Sequence, residues 1–316
     1  MRYFITGGSG FLGASLVYKL ISDNKYVTVF DNCSRGHVKR LDKIFHKLNF
    51  ITGDIRDEQL LTKSSKNHDI FVHLAAVNGT EFFYQKPQEV LDVAVRGILN
   101  SIEACKKNNI TNFIFASSSE VYQSPKIIPT NEKSELIIPD VFNPRYSYGG
   151  GKIISELICL NYYKDFFKKM IIFRPHNVYG SDMGWEHVIP QIIFKIKELK
   201  RLNEKVLKIK GDGKQIRSFI YIDDFTEVLS IILEKGEHRN IYHIGNNNEI
   251  TIMGLIEEIL KIMNLNLKIL TSEKPEGETI RRCPDITKIT KLGYKKKYEL
   301  REGLKKVIKW YMKNEK

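Results

Sequence analysis

The eight residues Thr6-Gly7-Gly8-Ser9-Gly10-Phe11-Leu12-Gly13 constrain this chain more than any other stretch. They follow the apolar run Tyr3-Phe4-Ile5 and lead into a segment whose apolar residues Leu12, Leu16, Val17, Leu20 and Ile21 recur at helical spacing. Glycines at 7, 10 and 13 remove the Cβ atoms that would keep backbone N–H groups away from a pyrophosphate. The helix that opens there adds the partial positive charge of its N-terminus. Strand, glycine turn and helix in that order predict a dinucleotide site contacted by Gly7, Gly10, Phe11, Leu12 and Gly13.

A second strand, Tyr26-Val27-Thr28-Val29-Phe30, ends at Asp31, 18 residues after Gly13. A carboxylate near that distance accepts from the ribose hydroxyls of adenosine and repels a 2′-phosphate, which favours NAD over NADP. Asn32 joins the same site, and Arg35 works against the discrimination. Further apolar runs at 48–51, 69–74 and 112–116 alternate with helical patterns at 11–22, 57–65 and 87–108. This alternation predicts an α/β fold with a Rossmann doubly wound parallel sheet. A helix is expected over 146–168 and a strand over 170–175. Beyond 176 the pattern loosens into short pieces punctuated by Gly, Asp and Asn. The expected organisation is therefore an NAD-binding domain at 1–175 and a smaller α/β substrate lobe at 176–316, with segments of the latter free to return to the former. A cleft between the two is the natural ligand site.

Composition excludes several classes. With 316 residues, 42% hydrophobic and 28% charged, the chain is of ordinary globular make-up. It has no run of 18 apolar residues, so no membrane partner is expected. The first residues read as a strand rather than as a basic segment before an apolar one, so no secretory signal is expected. Cys33, Cys105, Cys159 and Cys283 are far apart and lack metal-ligand spacing. They are expected as free thiols of a cytoplasmic protein without a structural metal. The net charge of +13 comes from dispersed lysines, without zinc-finger spacing or an RNA-recognition motif. It suits an anionic small substrate rather than nucleic acid.

Tyr148 and Lys152 lie four residues apart after the strand at 112–116. On a helix they share a face, where the ammonium is expected to lower the phenol's pKa and equip it for proton transfer beside a nicotinamide. With these residues the chain resembles, over essentially its whole length, the extended short-chain dehydrogenase/reductase family, in its NAD-dependent sugar epimerase/dehydratase branch. The resemblance runs through Gly53-Asp54-Ile55, His73-Leu74-Ala75-Ala76, Ser117-Ser118-Ser119-Glu120-Val121-Tyr122, Arg174-Pro175-His176-Asn177-Val178-Tyr179-Gly180, the segment Gly211–Phe219 and Arg282-Cys283-Pro284-Asp285.

The resemblance implies roles. Ser118 bonds the sugar 4-oxygen, Tyr148 is the acid/base there, and Lys152 tunes Tyr148 and holds the nicotinamide ribose. Asp54 and Ile55 lie beside adenine, and Leu74, Ala75 and Ala76 line the cofactor. Asn177 and Arg217 hold the substrate diphosphate with help from Arg282, and Ser119, His187 and Val188 join the substrate side. It also implies a homodimer built on the helices at 87–108 and 146–168, with Ile98, Ile102, Ile153, Leu157 and Leu160 on their apolar faces, part of each of which must pack on the sheet. The chain departs from the family's usual residues at Ala94, Gln123 and Gly151.

Glu120 bears on the reaction, because C–H bonds beside a 4-keto group are acidic and a nearby carboxylate can remove such a proton. Ser119-Glu120 is similar to the pair of UDP-glucuronate decarboxylases and unlike the Asp-Glu pair of 4,6-dehydratases. Gly184-Trp185-Glu186-His187 is similar to GDP-mannose 3,5-epimerases. A second acid/base is sought in His176 or His187. The expected activity is a nucleotide-sugar epimerase with a 4-keto intermediate formed by hydride transfer at C4. A dehydratase, decarboxylase or 4-dehydrogenase stands as the alternative, and a non-enzymatic NAD-binding or RNA-associated protein as the alternative of another class.

Overall fold

Runs of β-branched and aromatic residues fold into one sheet of seven strands in the computed structural model, which describes residues 1–273 and 279–315. The strands are β1 (Arg2–Thr6), β2 (Tyr26–Asp31), β3 (Asn49–Thr52), β4 (Ile70–His73), β5 (Asn112–Ala116), β6 (Lys169–Pro175) and an edge strand, Asn240–Ile244. Their order is edge strand, β6, β5, β4, β1, β2, β3, and every neighbouring pair is parallel. Parallel neighbours need crossovers, and the crossover helices cover both faces. The strands are accordingly apolar on both sides. In β5, Ile114 belongs to one apolar cluster while Phe113 and Phe115 belong to the other.

Helix α1 (Phe11–Ser22) buries Leu16, Val17 and Leu20 on the first face, beside Phe225, Val228 and Leu229 of the helix Ile222–Lys235. The second face carries α2 (Glu58–Ser64), α4 (Pro87–Lys107) and α5 (Ser147–Asn161), with the short α3 (Thr80–Gln85) ahead of α4. Ile98 and Ile102 of α4 are fully buried there against Phe71, Phe113 and Phe115. The chain builds outward from β1 to β3, then crosses to β4 on the other side of β1. A crevice opens beyond the C-terminal ends of the strands where such a reversal occurs.

After β6 the chain forms small pieces: the pair Val178–Tyr179 with Ile220–Tyr221, the trio Glu249–Thr251, Ile216–Ser218 and Arg281–Arg282, and the pair Val206–Lys208 with Lys268–Leu270. Helices Val188–Leu202, Ile252–Met263 and Leu300–Lys313 pack among them. The helix Ile222–Lys235 and the edge strand rejoin the seven-stranded sheet.

Two expectations need correction. The helix expected to reach 168 stops at Asn161, because Tyr162 is extended (φ −74°, ψ 127°) and Tyr163 takes φ 49°. That turn brings the buried Phe167 onto Phe113, a gain in burial that no local breaker residue announces. Ile98 and Ile102 face the sheet, not a dimer interface; the exposed apolar residues of α4 and α5 are Leu91, Ile154 and Leu157. Short helical segments at Val38–Lys47 and Thr80–Gln85 were not expected. Among the described residues no helix is long and apolar enough to cross a membrane. All four cysteines are free, three of them buried.

Candidate active site

The glycine turn connects β1 to α1 at the switch point. Gly7 takes φ 73°, and a Cβ there would lie 2.6 Å from Ala75 N; at Gly13 a Cβ would lie 2.2 Å from the Gly7 oxygen. The backbone is therefore packed too closely for any side chain at these two positions. No side chain caps α1, whose N-cap is Gly10, so its first amides are left for a ligand. Asp31 closes the turn from β2: Oδ2 accepts from Ser9 N and Oδ1 from Cys33 N, both at 2.9 Å.

Asp31, Asn32, Asp54, Ile55, Leu74, Ala75 and Ala76 all line one pocket beside this turn, of about 90 Å³. Asp54 is bridged by Arg56 (2.9 and 2.7 Å) and by Asn32 Nδ2 (3.0 Å). The Arg56 hydrogen bonds hold its carboxyl at about 2, so it is ionised at neutral pH. The uncapped helix, the glycine cradle and this carboxylate-rimmed pocket fit an adenine dinucleotide.

The pocket opens into a larger cleft of about 370 Å³ that Ser118, Ser119, Glu120, Tyr148, Lys152, Asn177, His187 and Arg282 line together with Gly10, Phe11, Leu12 and Gly13. Ser118 follows β5, and Tyr148 stands in the first turn of α5 with its hydroxyl hydrogen-bonded to Ser118. Lys152, one turn on, is buried and donates to the Ala116 carbonyl at 2.7 Å. Burial pulls the Lys152 ammonium down to about 8.

The expected lowering of Tyr148 is not what the structure shows. Burial raises the phenol well above its usual range; the Ser118 hydrogen bond opposes this and the Glu120 charge adds to it. Lys152 Nζ lies 5.7 Å from the Tyr148 ring centroid and spends its short bond on a carbonyl. Phe83 of α3 stacks on Tyr148 with centroids 5.0 Å apart and planes 11° from parallel, a contact that sequence reasoning missed.

Glu120 lies in the short helical turn Ser119–Val121 that follows Ser118 and pairs with Arg282, Nη1 to Oε1 2.6 Å. Burial would raise the Glu120 carboxyl, but Arg282, Arg145 and Arg217 together hold it below its usual range. Arg282 sits in register beside Arg217 on the adjacent short strand. Thr279 ties them together: its Oγ1 accepts from Arg282 Nη2 (3.1 Å) and its carbonyl from Arg217 Nη2 (2.9 Å). Thr279 Oγ1 also donates to the Gln123 carbonyl at 3.0 Å. Gln123 takes φ 50°, in the left-handed region that favours glycine. Among the candidates for the substrate side, Arg217 and Val188 do not line the cleft. Val188 begins the helix Val188–Leu202, next to His187.

His176 is not positioned as an acid/base. It is fully buried beside Tyr122 and His243, and burial holds it neutral, far below its usual range. His187 does reach the cleft; burial lowers it against the charge of Glu186, while Arg35 lowers it further. Arg35 pairs with Glu186, and Arg40 reaches both Asp182 and the Ser9 carbonyl, contacts that join loops distant in sequence. No cluster of metal ligands occurs among the described residues.

A family model for the NAD dependent epimerase/dehydratase family matches residues 3–245, most of the chain. The chain belongs to the NAD-dependent epimerase/dehydratase family. It is thus an NAD-dependent enzyme of the extended short-chain dehydrogenase/reductase type, as its motifs predict. Within the family, it is 30% identical over 320 residues to the UDP-N-acetyl-alpha-D-glucosaminuronate decarboxylase of Bacillus cytotoxicus, covering 98% of this chain and 97% of that one. The dTDP-glucose 4,6-dehydratase of Streptomyces venezuelae, solved with NAD bound, superposes with a TM-score of 0.89 at 26% identity, covering 99% of this chain and 98% of that one. The UDP-glucose 4-epimerase of Thermotoga maritima, solved with UDP-glucose, gives 0.85 at 26% identity, covering 99% of each. Family relatives thus include epimerases, dehydratases and decarboxylases of nucleotide sugars.

Proposed function

We propose that this chain is a nucleotide-sugar epimerase acting through a 4-keto intermediate. The observation that carries the reading is the meeting of Ser118, Tyr148 and an arginine-held carboxylate, Glu120, in one cleft beside the dinucleotide crevice. When bound, NAD supplies a hydride acceptor at C4 and returns the hydride later. Tyr148 takes the 4-hydroxyl proton, and Ser118, already bonded to it, positions the 4-oxygen. Lys152, one turn along α5 from Tyr148, holds the nicotinamide ribose.

Arg282 and Asn177, which line the cleft, grip the diphosphate, and Arg217 backs Arg282 from the neighbouring strand. A diphosphate competes with Glu120 for Arg282. Once that partner turns away, the Glu120 carboxyl rises in pKa and becomes a stronger base toward a C–H bond beside the 4-keto carbon. Elimination of a hydroxyl needs, in addition, an acid to protonate the leaving oxygen. Ser119 stands beside Glu120 where a second carboxyl would supply it, and Glu186, the other carboxylate of the cleft, is engaged by Arg35. Epimerisation needs no protonated leaving group; it needs a proton returned to the opposite face of the enolate, and His187, which lines the same cleft, is the donor we assign to it, which favours epimerisation over dehydration.

The test is a panel of UDP-, GDP-, CDP- and dTDP-sugars incubated with the enzyme in D₂O and followed by NMR. The expected result is an epimer carrying deuterium beside C4, with no uptake in the E120Q variant. A 4-keto-6-deoxy product, release of CO₂ or accumulating NADH would overturn the reading. Turnover without deuterium uptake would remove Glu120 from the chemistry and leave inversion at C4.

A further inference from the structure

Arg35 lies where the two parts of the crevice meet. It lines the narrower pocket close to Asp31, and it also lines the reaction cleft. A guanidinium four residues beyond that aspartate is chemically suited to receive a 2′-phosphate. Asp31 is a weakened guard against such a phosphate. Both its oxygens accept backbone N–H bonds, from Ser9 and Cys33, so part of its charge is already compensated.

Arg35 is occupied, however. One face of its guanidinium lies 4.3 Å over the Phe82 ring, and Nη2 pairs with Glu186 Oε1. Glu186 arrives from the loop before the helix Val188–Leu202, on the far side of the crevice. The loop is anchored a second time: Arg40 Nε donates to Asp182 Oδ2 and Nη2 to the Asp182 carbonyl, each at 2.8 Å, while Nη1 reaches the Ser9 carbonyl at 3.2 Å. The carboxylate is thereby fixed relative to the glycine turn. It is also ionised at neutral pH: burial would raise it, but its own backbone amide and the charges of Arg35 and His187 bring it down.

We propose that Glu186 is a determinant of NAD-over-NADP selectivity, because it holds Arg35 across the crevice and withholds that guanidinium from a 2′-phosphate. Selectivity in this chain then rests on two carboxylates, one at the end of β2 and one from the opposite lobe. The second is invisible to any rule that reads only the residues following β2.

Calorimetric titration of NAD and NADP into cofactor-free enzyme tests this. In E186Q the NADP-to-NAD ratio of Kd values falls by roughly tenfold, the scale of one charge-assisted hydrogen bond gained by the phosphate. NAD affinity barely moves. In E186Q/R35A the ratio returns to the native value. R35A alone leaves the native ratio unchanged, because the guanidinium was not serving the phosphate. An unchanged ratio in E186Q overturns the proposal. A gain that persists in the double variant also overturns it, since simple removal of a negative charge then suffices. R35A weakening NADP binding on its own overturns it independently, and decides the matter even if E186Q does not fold.

Discussion

Arg282 donates to Glu120 at 2.6 Å across the floor of the cleft, joining residues 162 positions apart. The base proposed for the reaction and a cation proposed for the substrate's diphosphate are therefore partners before substrate arrives. Arg282→Ala leaves Glu120 with weaker opposition to the effect of burial, so the carboxyl pKa rises. The acid limb of the kcat/KM profile, which reports the free enzyme, moves to higher pH. KM rises as well, because the diphosphate loses a bidentate donor. An acid limb at its native position in this variant contradicts the coupling.

Tyr148→Phe removes the proposed acid/base but keeps the stack on Phe83. Turnover falls roughly 10²–10⁴-fold, the weight of a positioned acid/base, while NAD affinity is nearly unchanged. Stopped-flow absorbance at the NADH band shows whether the loss lies in the oxidation step. Near-native turnover assigns the proton to another group.

Lys152 links pH to stability. Its native pKa is lowered to about 8 from a reference value of 10.5. Between those values the unfolded chain holds a proton that the native chain has released, so stability rises with pH across this window. Below about pH 8 the native protein carries the full cost of a buried ammonium, on the order of 3 kcal/mol. The Lys152→Met variant lacks this slope. Urea unfolding at several pH values between 7 and 10 reads the difference. Parallel pH dependence in the two proteins contradicts it.

Leu157 is 54% exposed on α5, Ile154 one turn before it is exposed too, and so is Leu91 on the neighbouring α4. Three solvent-facing aliphatic residues on two helices packed side by side suit a second copy of the same helices. The native chain is expected to be a dimer in light scattering, and Leu157→Glu a monomer with an unchanged melting temperature at low concentration. A monomeric native protein at micromolar concentration excludes this interface.

Legibility from sequence depended on range. The glycine turn, Asp31 and Ser118 each sit at or just beyond a strand end, Tyr148 and Lys152 share a helical four-residue spacing, and the structure brings them to one crevice. The Glu120–Arg282 and Arg35–Glu186 pairs link segments more than 150 residues apart, so no local pattern encodes them. Phe83 escaped because α3 is only six residues long, too short for helical periodicity to register. The misjudged Tyr148 had a different cause. Four-residue spacing predicts a shared helix face, but not that burial would raise the phenol or that Lys152 would turn to the Ala116 carbonyl.

The most direct measurement follows a C4-deuterated form of whichever nucleotide sugar the enzyme turns over. If C4 gives up its hydride and receives it back, the label is found at C4 of the epimeric product and the cofactor ends unreduced. Label delivered to C6, or accumulating in free reduced cofactor, would contradict the account and identify a dehydratase or a net 4-dehydrogenase.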